Sequence, residues 1–298
     1  SYPRDGKNMI FFLSSTHECG AVIPLVKEAT LYKKGRRNVY ISWDVDRERK
    51  RLFFKISSSP PQPLSVCPFC GRSVSMDLLR RRWVQKHKEI LEKLLRGEES
   101  AAEEVPRLYY LAAIQMTQSK YRAPTSQDEK ALVESARELA RIAREEGIIE
   151  YLPVLLIPED NNMFEDVRAE GLKFWHQLFT PRQLLFIYKV TKYIRERAVA
   201  LKKTYGELGV AVALYLALGF AKTLNFNSLL TQWGSSKGSI RDLVGSQYAL
   251  GKRAKLGYDF AEGNIPFFGL EWAFETEGEE EGEEEFEATS GGMLPVLK

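Results

Sequence analysis

Between Met9 and Ile56 the chain alternates short apolar runs with polar punctuation. MIFFLS, AVIPLV, ATLYK, NVYISWDV and RLFFKI are rich in β-branched and aromatic residues, and turn formers such as Lys34-Gly35 and Asp46 separate them, a pattern that predicts strands. A Pro/Ser-rich connector from Ser57 to Pro63 follows. The period then changes. A basic helix is expected from about Asp77 to Arg96, and Arg107 to Met116 reads as another buried strand. Ser126, with Glu129 three residues on, predicts a capped helix to Glu146. Phe164 to Gln177 reads as amphipathic. Thr180-Pro181 opens a long helix to about Lys203, with Thr as N-cap and Pro at the first helical position. Tyr205-Gly206 breaks it, and an apolar helix over 207–224 follows.

These elements predict an α+β protein, with a β-rich zinc-ribbon module over residues 1–100 and a mainly helical module over 101–270. Leu208 to Ala221 is the longest apolar run. It is shorter than the ~20 residues needed to span a bilayer, so it is expected to be a buried core helix, with no membrane partner.

Composition adds an asymmetry of charge. The formal net charge is only +3 over 298 residues, yet Glu271–Lys298 holds ten glutamates and one lysine. The remainder carries 42 Lys+Arg against 30 Asp+Glu. A basic body suits a polyphosphate partner, whose counterions are released on binding, although a solvated charge-rich surface has the same composition. Residues 271–298 are expected to be a disordered acidic tail, acting as a solvated tether or as an intramolecular mimic of DNA laid on the basic body. Three cysteines, a low and odd count, argue against a secreted disulfide framework and point to the cytoplasm.

The cysteines carry the first candidate chemistry. Cys67-Pro-Phe-Cys70-Gly71 has zinc-knuckle spacing: two thiolates can grip one ion across a tight turn that the glycine permits. Four ligands are needed, and Cys19 in Thr16-His17-Glu18-Cys19-Gly20 repeats the Cys-Gly ending, with His17 as the nearest fourth donor. Four protein ligands would make the ion structural, since no position is left for water. The alternative is a redox pair, or small core residues, at Cys67 and Cys70.

Several blocks occur in a particular order: Tyr2-Pro3, Cys19-Gly-Ala-Val-Ile-Pro-Leu-Val26, Cys67-Pro-Phe-Cys-Gly71, Leu178-Phe-Thr-Pro-Arg-Gln-Leu-Leu185, Asn225-Phe-Asn-Ser228 with Trp233, and Asp259-Phe-Ala-Glu-Gly-Asn264 with Pro266-Phe267. Together they resemble the central portion of the adenine-specific DNA methylases that contain a zinc ribbon. The resemblance implies S-adenosylmethionine as methyl donor and adenine N6 as acceptor. The family's cofactor motif (DPFxGxG-like) and its DPPY motif would flank this portion, and neither is in the sequence. The chain is therefore expected to be a fragment, or one subunit of a split enzyme whose catalytic partner supplies both. It departs from the family at the first half-site, where a second cysteine would stand near Thr16.

The resemblance further implies double-stranded DNA as partner. Candidate contacts are Arg80, Arg81 and Arg82 on the basic helix, and Arg182 and Gln183 at a helix N-terminus, where backbone N–H groups favour phosphate. Asn225, Asn227, Gln232 and Trp233 can pair with or stack on bases, and Lys237 and Arg241 add charge nearby. Each residue also has a plain structural use. His87 is expected to be exposed and His176 packed. Asn264-Ile265-Pro266-Phe267 is a near-match to the catalytic tetrapeptide, making Asn264, Pro266 and Phe267 weak catalytic candidates. The segment before it does not read as a buried strand. The rival reading is a stand-alone zinc-containing DNA-binding or scaffold protein without catalysis.

Overall fold

The computed structural model describes residues 6–26, 29–61, 64–241 and 254–264. An N-terminal β-rich region, β1 (Asn8–Thr16), β2 (Val22–Pro24), β3 (Thr30–Lys34), β4 (Arg37–Asp46) and β5 (Arg51–Ser57), precedes a helical region. That region holds α1 (Met76–Leu95), β6 (Tyr109–Thr117), β7 (Lys120–Arg122), α2 (Ser126–Glu146), α3 (Glu165–Ala169) and α4 (Pro181–Leu224). Three short strands close the order: β8 (Gln232–Gly234), β9 (Ser239–Arg241) and β10 (Asp259–Gly263).

All three sheets are antiparallel. The central one runs β10-β1-β6-β7, with β2 paired to the far end of β1. β1 is buried on both faces, which explains its unbroken apolar run. Met9, Phe11 and Leu13 face a large core shared with α1, α2 and the start of α4. Ile10 and Phe12 face Leu31, Ile41 and Phe54 of the β3-β4-β5 sheet. Helices, central sheet and outer sheet thus form three layers, and the central sheet draws strands from both ends of the chain.

Local signals set most element boundaries. Thr180 caps α4, with its hydroxyl accepting from Gln183 N and the Gln183 carboxamide returning to Thr180 N, and Pro181 occupies the first turn. On α2 the capping box forms one residue earlier than expected, between Thr125 and Asp128. The amphipathic stretch 164–177 is not one helix. α3 ends near Gly171 (φ +99), and a separate 3-10 turn covers Trp175–Leu178.

Two expectations are overturned. Asp259–Gly263 is a buried strand after all, paired with β1 from Asn8↔Gly263 to Phe12↔Asp259, and Phe260 stacks on Phe11 with ring centroids 4.8 Å apart. Its glutamate is tolerated inside because Arg182 neutralises it. Second, the apolar helix over 207–224 is not a core helix. Gly206 (φ 58, ψ −132) takes a backbone conformation open to glycine, and α4 folds back there into two antiparallel arms. Phe186 and Phe220 consequently meet at 5.7 Å, and a Cβ on Gly209 would lie 2.1 Å from Leu201 O. The second arm packs through Gly209, Ala213, Gly219 and Phe220, leaving Leu208, Leu214 and Leu218 exposed. α4 contains an 18-residue window long and apolar enough to cross a membrane by length and composition, and 28% of that window is buried.

Candidate metal centre and basic surface

Two tight turns build a four-donor cluster. The first joins β1 to β2: His17 N donates to Ala21 O and Gly20 N to His17 O, both at 2.8 Å, with Gly20 at φ +83. The second precedes α1. There Gly71 N donates to Cys67 O (2.9 Å) and Cys67 N to Arg72 O (2.8 Å), with Gly71 at φ +73 and a bridge between Val66 and Ser73. The first turn closes one residue sooner than the second. An imidazole reaches further from the backbone than a thiol, so His-x-Cys serves where Cys-x-x-Cys would otherwise stand.

The donor atoms of His17, Cys19, Cys67 and Cys70 all lie within 4.8 Å of one another, and the cluster could hold a metal ion. His17 Nδ1 is 3.4 Å from Cys19 Sγ and 3.7 Å from Cys70 Sγ, and Cys19 Sγ is 3.7 Å from Cys67 Sγ. The cysteines are not joined by disulfides. Burial opposes ionisation of Cys19, yet the Ala21 N–H and hydrogen bonds from His17, Cys67 and Cys70 bring its thiol down to about 6. Burial pushes the Cys67 thiol up. A redox pair of Cys67 and Cys70 alone would leave the convergence of His17 and Cys19 unexplained.

The basic residues divide sharply. Arg81 and Arg82 are exposed, and Arg82 borders a shallow cleft beside the cluster with His17, Glu18 and Arg72. Arg80 is instead tied to the Glu170 carboxylate and to Leu256 O. Arg182 and Gln183 are buried, against the expectation of phosphate contact at a helix N-terminus. Arg182 pairs with Glu262 and lies over the Phe11 ring, while Gln183 completes the cap. Asn227 is buried and donates to Thr223 O. Asn225 follows the last turn of α4 and is half-buried. Gln232 is half-buried in β8. Trp233 donates Nε1 to Leu31 O and meets Tyr121 edge-on, so its ring is engaged with the body. Asn264 is buried at the end of β10, donating Nδ2 to Gly6 O. Pro266 and Phe267 lie outside the described residues, as do 271–298.

Lys237 and Arg241 remain exposed, and they belong to a larger group that no local pattern announces. Three turns meet at one edge: 33–37 of the β3-β4 hairpin, 117–120 of the β6-β7 hairpin, and 235–238 of the β8-β9 hairpin. Lys33 N donates to Ser235 O (2.9 Å), Gln115 Nε2 to Gly238 O (2.7 Å), and Arg37 Nη2 reaches Ser119 O (3.5 Å). Gly238, at φ +62, is needed here, since a Cβ would lie 2.6 Å from Gln118 O. The turns bring Lys33, Lys34, Arg36, Arg37, Lys120, Lys237 and Arg241 to the surface, and no acidic residue occurs in 33–37, 117–122 or 232–241. Cations clustered in this way attract polyanions.

In comparisons with known proteins, no family model, curated protein or solved structure matches the chain.

Proposed function

We propose that the chain is the zinc-ribbon and DNA-recognition portion of an adenine-N6 DNA methyltransferase. The S-adenosylmethionine-binding and DPPY elements would come from residues outside this sequence. The observation that carries DNA recognition is the edge where three turns from distant parts of the chain, with no Asp or Glu in 33–37, 117–122 or 232–241, present cations together. Phosphate contacts position a protein on a duplex and dominate its affinity, and clustered Lys and Arg supply them.

Zinc is the metal that fits the cluster. With Zn–S near 2.3 Å and Zn–N near 2.0–2.1 Å, a tetrahedral site spaces its sulfurs about 3.8 Å apart and its N and S donors about 3.6 Å apart. Three of the donor pairs, at 3.4 to 3.7 Å, are close to those spacings, and all four donors lie within 4.8 Å of one another, which supports the zinc reading. Four protein donors make the ion structural, pinning the β1-β2 hairpin to the loop that launches α1. The methylase assignment itself rests on the order of the sequence blocks. The fold supports reading those blocks as one framework: Thr180 and Arg182 both reach Glu262, and Gly263 N lies 3.5 Å from Phe226 O.

Titrating the isolated chain with a labelled duplex and, separately, with S-adenosylmethionine tests the assignment. The expected outcome is DNA binding that weakens steeply with salt and no heat of cofactor binding in calorimetry. Cofactor binding by this chain alone would move catalysis back into it, by way of Asn264 and its neighbours. Absence of DNA binding would remove the recognition role.

A further inference from the structure

We infer that the exposed second arm of α4 is covered by this chain's own acidic C-terminal segment, residues 271–297. The surface needs a cover. Val199, Tyr205, Leu208 and Leu214 are each more than 60% exposed, with Val210, Val212 and Leu218 beside them. So many exposed large apolar side chains on one helical hairpin call for a partner. The first arm adds Arg195, Arg197, Lys202 and Lys203 toward the tip, and these make no ion pair among the described residues. The partner must therefore be apolar and acidic together. Residues 271–297 are both, with ten glutamates interspersed with Trp272, Phe274, Phe286, Met293, Leu294, Val296 and Leu297.

The connection also fits. β10 ends at Gly263, whose N–H points to Phe226 O, two residues beyond the last turn of α4. The chain thus leaves the described body at the foot of the second arm. A helix rises about 1.5 Å per residue, so Leu218 to Leu208 lie roughly 10 to 30 Å up the arm. An extended chain advances about 3.3 Å per residue, so Trp272 can reach Leu208 and the later apolar residues have slack. A second copy of this chain is a poorer occupant, because two net-positive α4 hairpins would face each other. A bilayer-spanning arm is poorer too, because α4 folds back at Gly206 and the second arm keeps Gly209, Ala213 and Phe220 packed inside the protein.

Carbodiimide crosslinking of the full chain, read by peptide mass mapping, tests the contact. The expected products are intrachain links from Lys202 and Lys203 to glutamates between Glu271 and Glu287. They should be lost in Leu214→Glu/Leu218→Glu, whose sites are exposed and whose circular dichroism should match the parent. Deleting residues 271–298 should accelerate amide exchange over Tyr205–Leu218 about tenfold. Links that go instead to Lys33, Lys120 or Lys237 would place the segment on the basic edge and overturn the inference. Unchanged exchange on deletion would overturn it as well. So would a dimer linked through Lys202, or flotation of the full chain with phosphatidylglycerol vesicles through this arm.

Discussion

Cys19 Sγ and Cys67 Sγ stand 3.7 Å apart although 48 residues and two strand hairpins separate them in the chain. With His17 and Cys70 they form a cluster of four donors that could hold one metal ion. Elemental analysis should therefore find one zinc per chain. Cys67→Ser or Cys70→Ser should lower that content, and a strong chelator should depress the melting temperature, because binding energy at a structural site is folding energy. His17→Cys should retain the metal. A metal-free preparation with an unchanged melting temperature would contradict the site.

The buried pair of Arg182 and Glu262 makes a second prediction. Arg182→Met leaves a buried carboxylate uncompensated and should cost about 3–5 kcal/mol in urea unfolding. The double variant Arg182→Met/Glu262→Met should recover a large part of that loss. DNA affinity of folded Arg182→Met should equal the parent's, since the side chain has no route to solvent. Weakened binding at unchanged stability would return Arg182 to the interface.

His87 predicts the acid limb of the stability curve. It is fully buried, stacked on Trp83, with Nε2 donating to Gln177 O at 2.8 Å and Nδ1 accepting from the Tyr109 hydroxyl. Burial holds it neutral and brings its pKa down to about 4, from 6.5. Between those values the unfolded chain binds a proton that the folded chain refuses. Its contribution is therefore complete above pH 6.5 and declines as pH falls toward 4, by about 3 kcal/mol. In His87→Gln that part of the slope between pH 6.5 and 4 should vanish; an unchanged slope would show that other groups set it.

Much of this was legible in sequence, for identifiable reasons. The five N-terminal strands and the cap at Thr180 depend on neighbours in the chain, so local pattern finds them, and it places the cap of α2 one residue late, at Ser126 instead of Thr125. Gly206 announced the break in α4. Asp259–Gly263 was not legible as a strand, because its Glu262 is acceptable inside only with Arg182, eighty residues away. Composition likewise could not place the arm over 207–224, as apolar residues read the same under a core or bare. His87 could have been read correctly: Trp83, His87, Ile90 and Leu94 share one face of α1 at helical spacing. The basic edge had no local signal, since its three turns are widely separated and only strand pairing assembles them.

The recognition role rests on that edge, and Lys33→Glu/Arg36→Glu/Lys120→Glu tests it most directly. All three sites are exposed, so melting temperature and metal content should stay at parental values. Fluorescence anisotropy with a labelled duplex at about 0.1 M salt should show affinity reduced by roughly 100-fold or more, with a shallower salt slope. Affinity within about twofold of the parent, at the same slope, would contradict the account.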